Sequence, residues 1–248
     1  MSDALNAATF AQEPERYARA RPTYPDALFD WLLQWAPGRR CAWDVGCGSG
    51  QATVALAERF DAVIANDVAA EQIAQAPRRP NIRYEVAAAE DLALAAGSVD
   101  VVTVATAVHW FDLDRFFPLV QRALAPRGVF AAFGYGTVKL EPALHDSVRV
   151  AFRPLRPYWS EGNFALWRGY PDLMMPFEPL AAPEFVIELD WTFDQFLDYA
   201  GTWSALRRHA AETGTDLLAE VRAQFAAAWG PGRRRVRFPL ALRAGIAA

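Results

Sequence analysis

Short apolar runs alternate with stretches of helical spacing through the first half of the chain. "CAWDV" is an extended run that closes on glycines, and "QATVALAERF" then repeats its apolar positions at helical spacing. "AVIAND" predicts a second strand, "AAEQIAQA" a helix, and "IRYEVA" a third strand. "VDVVTVATAV" is apolar almost throughout, as a strand covered on both faces must be. "LDRFFPLVQRAL" predicts a helix, "APRG" a turn and "VFAAFGYG" a fifth strand. Alternation of this kind predicts an α/β fold, a doubly wound and mostly parallel sheet with helices on both faces, over residues 38–136.

The pattern changes in the second half. Residues 141–180 carry prolines, Trp159, Phe164 and Trp167 without a repeating strand signal, which predicts a helical lid insert folded over the carboxyl edge of the sheet. "EFVIELDWTF" and "RVRFPLAL" predict late strands, separated by helices such as "TDLLAEVRAQFAAAW". Residues 184–248 are thus expected to complete the sheet and the substrate side of one domain spanning 1–248.

Composition narrows the function classes. At 248 residues, with 53% hydrophobic and 22% charged residues, the chain is balanced like a soluble globular protein that buries a full core. A net charge of −4 argues against a general nucleic-acid binder, and "GRRRVRF" reads as a solvated turn entering the last strand. No apolar run reaches membrane-spanning length, and the start lacks a basic leader followed by an apolar block. Cys41 and Cys47 flank one extended run, roughly 20 Å apart and beyond disulfide reach. Free thiols of this kind suit a reducing, cytoplasmic setting. The three histidines are scattered, so no metal site is expected.

The candidate chemistry starts at "DVGCGSG", residues 44–50. Glycine at the end of a parallel strand permits positive φ and close approach of a ligand to backbone, while the next helix aims its free N–H groups at the same point. Dinucleotides and S-adenosylmethionine both bind such turns. The dinucleotide fingerprint G-x-G-x-x-G/A fails here, because Gln51 or Thr53 stands where its last glycine would be.

"DVGCGSG" resembles the first motif of class I S-adenosylmethionine-dependent methyltransferases, whose Rossmann-like fold matches the order of elements above. "AAAEDLALAAGSVDVV" resembles the segment that meets the adenine in that superfamily. "ATAVHWFD" and "YARARPTYP" resemble motifs of methyltransferases akin to trans-aconitate methyltransferase. The resemblance implies S-adenosylmethionine as cofactor, held by Tyr17, Arg21, Asp44, Gly46, Gly48, Asp67, Ala89, Glu90 and Thr106.

In that reading Asp67, seventeen residues after Gly50, grips the ribose hydroxyls. Asp44 faces the ammonium of the methionine part or orients the glycine turn. Arg21 pairs with the cofactor carboxylate or belongs to a helix ended by Pro22. Aromatic faces suit a sulfonium. Of the nine tryptophans, Trp110 is assigned to the substrate, and most of the others are expected in the core.

His109 is the candidate catalytic residue, as a base near neutrality for a hydroxyl acceptor, as a substrate or cofactor contact, or as a packed residue. A carboxylate acceptor would need no base. The expected partner is a small molecule, with a hydroxyl or carboxylate oxygen as acceptor. Two alternatives stand beside this reading: a methyltransferase-like protein that holds the cofactor without turnover, and a nicotinamide-dependent oxidoreductase.

Overall fold

The computed structural model describes residues 19–248. The helix α1 (Asp26–Trp35) falls outside the strand–helix order read from the sequence and turns Leu28, Phe29 and Leu32 into the core. Then follow β1 (Cys41–Val45), α2 (Gln51–Ala57), β2 (Ala62–Asp67), α3 (Ala70–Gln75), β3 (Ile82–Val86) and β4 (Val99–Ala105). A 3₁₀ turn (Val108–Trp110), α4 (Leu113–Ala123) and β5 (Leu124–Tyr135) close this half. Strand order is β3-β2-β1-β4-β5, all parallel, so the chain winds outward from β1 to β3 and then crosses to the other side of β1. The order reverses between β1 and β4, and in an open parallel sheet that reversal opens a crevice at the carboxyl ends of the strands.

β4 is buried from Val99 to Val104, as its continuous apolar run requires. Val101 packs into one core layer with Phe29, Leu56 and Phe133, whereas Val102 and Val104 pack into another with Trp43, Phe116 and Phe130. The "APRG" stretch corrects the sequence reading. It is no separate turn but a bulge within β5, where Arg127 takes φ +60° and the pairing register with β4 shifts.

The second half holds α5 (Pro142–Ala151), a 3₁₀ segment (Arg153–Tyr158), α6 (Glu161–Trp167), β6 (Glu178–Leu180) and β7 (Val186–Trp191). It ends with α7 (Phe193–Gly201), α8 (Ser204–Thr213), α9 (Leu217–Trp229) and β8 (Arg234–Ile246). β8 is long enough to pair twice. Its first half runs antiparallel to β7, and its second half lies between β5 and β6. The result is an eight-stranded mixed sheet, mostly parallel, flanked by helices. Ser160 and Thr192 each form a capping box with the residue three on, which starts α6 and α7.

A separate aromatic core holds this half together. Phe196 has no exposed surface and its ring lies 5.2 Å from that of Phe225 and 5.3 Å from that of Trp229. Phe196→Ala is expected to cost about 3–5 kcal/mol through lost burial and the cavity left behind. Denaturant unfolding followed by tryptophan fluorescence measures this; a loss below about 1 kcal/mol would mean that the site collapses around the gap.

Candidate functional site

Beyond Val45 the chain makes left-handed steps at Gly46 (φ +66°) and Gly48 (φ +53°). A side chain at Gly46 would place its Cβ 2.7 Å from the Cβ of Ala107, so the turn lies directly against the loop that leaves β4. A Cβ at Gly48 would meet nothing within 4 Å, because that position faces open space. The Gly48 amide donates to Asp67 Oδ2 at 2.8 Å, and the Ala69 amide donates to Asp67 Oδ1 at 2.9 Å. Each carboxylate oxygen keeps a second lone pair for another donor. Burial pushes the Asp67 carboxyl above its ordinary range, opposed by these amides.

Asp44 sits behind the turn with no exposed surface. Its Oδ2 accepts from the Thr53 hydroxyl at 2.6 Å and its Oδ1 from the Thr103 hydroxyl at 2.8 Å, which ties α2 and β4 to the end of β1. Burial raises its pKa to about 6 against those two hydrogen bonds, and the nearby Asp67 charge adds to the rise.

At the end of β4, Thr106 takes φ +58°, a left-handed conformation that costs a β-branched residue on the order of 1–3 kcal/mol. Two contacts hold it there. Its amide donates to Phe133 O at 2.6 Å, and its hydroxyl shares a 2.8 Å hydrogen bond with Tyr24 Oη.

Two cavities meet at this point. The first, about 1020 Å³ and partly open to solvent, is walled by Gly46, Gly48, Asp67, Ala89, Glu90 and Phe111. The second, about 1380 Å³ and likewise partly open, lies under α5 and α6 and is walled by His109, Phe152, Trp159, Trp167 and Trp203. Arg21, Thr106, Trp110 and Tyr135 line both and form the partition. Arg21 donates to Tyr135 Oη at 3.1 Å and to Thr202 O at 3.3 Å. Glu90 accepts the Asp112 amide at 2.7 Å, pinning the segment after the 3₁₀ turn.

His109 belongs to the second cavity. Its Nδ1 lies 2.7 Å from Tyr170 Oη, which leaves Nε2 without a partner among the described residues. Burial pushes the imidazole down to about 4 and the Tyr170 phenol well up, so both are neutral at physiological pH. A base titrating near neutrality is therefore not what this site presents. Gly162 of α6 lies so close that any side chain there would collide with the imidazole.

Most of the residues expected from sequence converge here: Arg21, Gly46, Gly48, Asp67, Ala89, Glu90 and Thr106 on the first cavity, and His109 and Trp110 on the second. Asp44 stands behind the first wall, and Tyr17 lies outside the described residues. Trp159, Trp167 and Trp203, which the sequence did not single out for the site, line the second cavity. Tyr24 and Tyr135 were not anticipated. Both had a usable signal: Tyr135 is an aromatic at the carboxyl end of a parallel strand, and Tyr24 lies within the "YARARPTYP" segment. No group of three or more potential metal-binding side chains occurs among the described residues, and no helix there is long and apolar enough to cross a membrane.

Comparison with known proteins adds the following. The family described as a methyltransferase domain matches residues 43–132, from β1 into β5. A Dictyostelium discoideum protein named as a methyltransferase is 30% identical over 86% of this chain and 83% of its own length. An uncharacterized methyltransferase of Mycobacterium tuberculosis is 38% identical over 48% of this chain and 49% of its own. A solved structure from Anaeromyxobacter dehalogenans, described as a type II methyltransferase, is 46% identical, covers 91% of this chain and 97% of its own, and superposes with a TM-score of 0.83.

The buried acid makes a testable demand on stability. Between about pH 4 and 6 the folded protein holds a proton on Asp44 that the unfolded chain has lost, so this group lowers stability as pH rises. His109 acts oppositely: the unfolded chain holds its proton up to about pH 6.5, so stability rises with pH across nearly the same window. Asp44→Asn removes the first slope alone. Relative to wild type it should gain on the order of 1–3 kcal/mol between pH 4 and 7, read from denaturant unfolding at each pH. A difference that stays constant with pH would mean that Asp44 does not titrate there.

Proposed function

Because this chain belongs to the S-adenosylmethionine-dependent methyltransferases, we propose that it methylates a small molecule held in the second cavity, at a hydroxyl or carboxylate oxygen. The observation that carries this reading is the pair of cavities sharing the wall of Arg21, Thr106, Trp110 and Tyr135, which allows a donor and an acceptor to meet. The first cavity fits the cofactor: Gly48 opens onto it, a carboxylate stands at the end of β2, and aromatic rings face it from the partition. When bound, S-adenosylmethionine supplies an electrophilic methyl group on a positively charged sulfur.

In this reading the residues divide their work by position. Asp67 accepts hydrogen bonds from the ribose, with its geometry preset by the Gly48 and Ala69 amides. Ala89 and Glu90 flank the adenine, and Arg21 pairs with the carboxylate of the methionine part. Asp44 acts from behind, fixing the turn and adding negative potential toward a cationic ligand. Tyr24, Trp110 and Tyr135 offer aromatic faces to positive charge, worth about 0.5–2 kcal/mol where solvent is excluded.

Neutral His109 offers Nε2 as a hydrogen-bond acceptor that orients an acceptor hydroxyl, while Tyr170 fixes the ring from the other side. Residues 141–180 form the cover that keeps water from the partition. The "HW" pair and the "YARARPTYP" segment support a subtype akin to trans-aconitate methyltransferase, and the net charge of −4 favours a small molecule over nucleic acid.

Calorimetry with S-adenosylhomocysteine and NADH, followed by a screen of small acids and phenols with radiolabelled methyl donor, tests the assignment. Tighter binding of NADH would overturn it. Asp67→Ala should weaken S-adenosylhomocysteine binding by roughly 1.5–3 kcal/mol through loss of charge-assisted hydrogen bonds. An unchanged dissociation constant would reduce Asp67 to a turn residue.

His109→Ala should lower turnover about tenfold while cofactor affinity stays within twofold, as expected for the loss of one orienting hydrogen bond. Neither enzyme should show a histidine inflection between pH 6 and 8. An inflection near neutrality in wild type that disappears in the variant would make His109 a base after all.

A further inference from the structure

The second cavity carries a polarity that the reaction class does not require. One face of α5 lines it with His145, Val148 and Arg149, and Phe152 follows one residue beyond the helix. The spacing i, i+3, i+4, i+7 brings all four to the same side. Val148 and Phe152 are buried, whereas Arg149 stays exposed and, among the described residues, forms an ion pair only with Asp146, at 3.4 Å, too open to hold it firmly.

The same rim receives Lys139, the only lysine of the chain. Its backbone is fixed by reciprocal hydrogen bonds to Arg237, of 2.8 and 2.9 Å. Arg237 is itself paired with Glu188 at 2.7 Å, but Lys139 forms no ion pair among the described residues. The described residues lining this cavity include no aspartate or glutamate, in contrast to the first cavity with Asp67 and Glu90.

β8 measures the distance from this basic rim to the partition. Tyr135 pairs with Leu240 and Lys139 bridges to Arg237. Three residues along β8 separate them, which is about 10 Å. The walls of the cavity are aromatic: Trp159 lies 4.9 Å from Trp167 and 5.6 Å from Trp203, and Phe152 lies 5.0 Å from Trp203, ring to ring. Edge-on and tilted rings of this kind accept a flat apolar body.

We propose that the ligand of the second cavity is an aromatic acid, held with its anionic group at Lys139, His145 and Arg149 and its far end presented at the partition about 10 Å away. The anchored acid is then a handle for recognition, and the group presented to the donor is a different one. This rests on the reading of that cavity as the acceptor site.

The test uses a rigid pair of probes: a biphenyl with a hydroxyl at one end and a carboxylate at the other, and its uncharged carboxamide. Affinities are measured by calorimetry in the presence of saturating S-adenosylhomocysteine, for wild type and for the Lys139→Gln/Arg149→Gln double variant. Wild type should prefer the acid about tenfold, and the variant should lose that preference while keeping its affinity for S-adenosylhomocysteine. Equal binding of both probes, binding of neither, or a preference that survives in the variant would overturn the proposal. Failure of wild type to bind S-adenosylhomocysteine would instead remove the reading beneath it, and this proposal with it.

Discussion

The Asp44 carboxylate, sealed from solvent, sits where the strand order of the sheet reverses and accepts hydroxyls from both Thr53 and Thr103. Through these two bonds it joins the end of β1 to the first turn of α2 and to the interior of β4. Those are the elements that border the crevice. The glycine turn can therefore press its Gly46 backbone against Ala107, and Gly48 is left facing open space. The cost is electrostatic. An acid buried with hydroxyls and no cation stays poised near pH 6, and Asp67 is raised beside it. Two acids whose charges repel each other form a place where a cationic ligand relieves the strain between them.

The partition between the cavities is set just beyond the end of β4. Thr106 is held left-handed by the Phe133 carbonyl and the Tyr24 hydroxyl, so the chain leaving β4 turns sharply into the 3₁₀ segment instead of continuing the strand. This turn sends Trp110 to the partition and His109 into the second cavity. His109 is then kept neutral by burial and gripped by Tyr170. The strain at Thr106 is thus offset by contacts that also set the geometry between the two chambers.

The second half of the chain supplies volume and polarity. Its own aromatic core around Phe196 packs against Tyr135 of β5 and against β7 and β8, while Leu166 of α6 joins the layer of Trp43 and Phe130, so α5 and α6 stand over the carboxyl edge anchored to the sheet. Trp159 and Trp203 take part in both roles, packed on one side and facing the cavity on the other.

The sequence by itself determined whatever depends on near neighbours. β1 and β2 lie where the alternation of apolar residues put them, at 41–45 and 62–67, because burial and backbone pairing act on each strand locally. The glycine turn was legible for the same reason, since positive φ is a property of single residues. The bulge at "APRG" was read as a turn because proline and glycine signal a break in either case, and only the pairing with β4 shows which.

The second cavity was legible only in His109, Trp110 and the insert of residues 141–180. Arg21 reaches Tyr135 and Thr202 across 114 and 181 residues of chain, and no local pattern encodes such meetings. The tryptophans at 159, 167 and 203 look the same in sequence whether they fill a core or line a chamber. What decides between those outcomes is the space left when α5 and α6 settle over the sheet edge, and that space exists only in the folded chain.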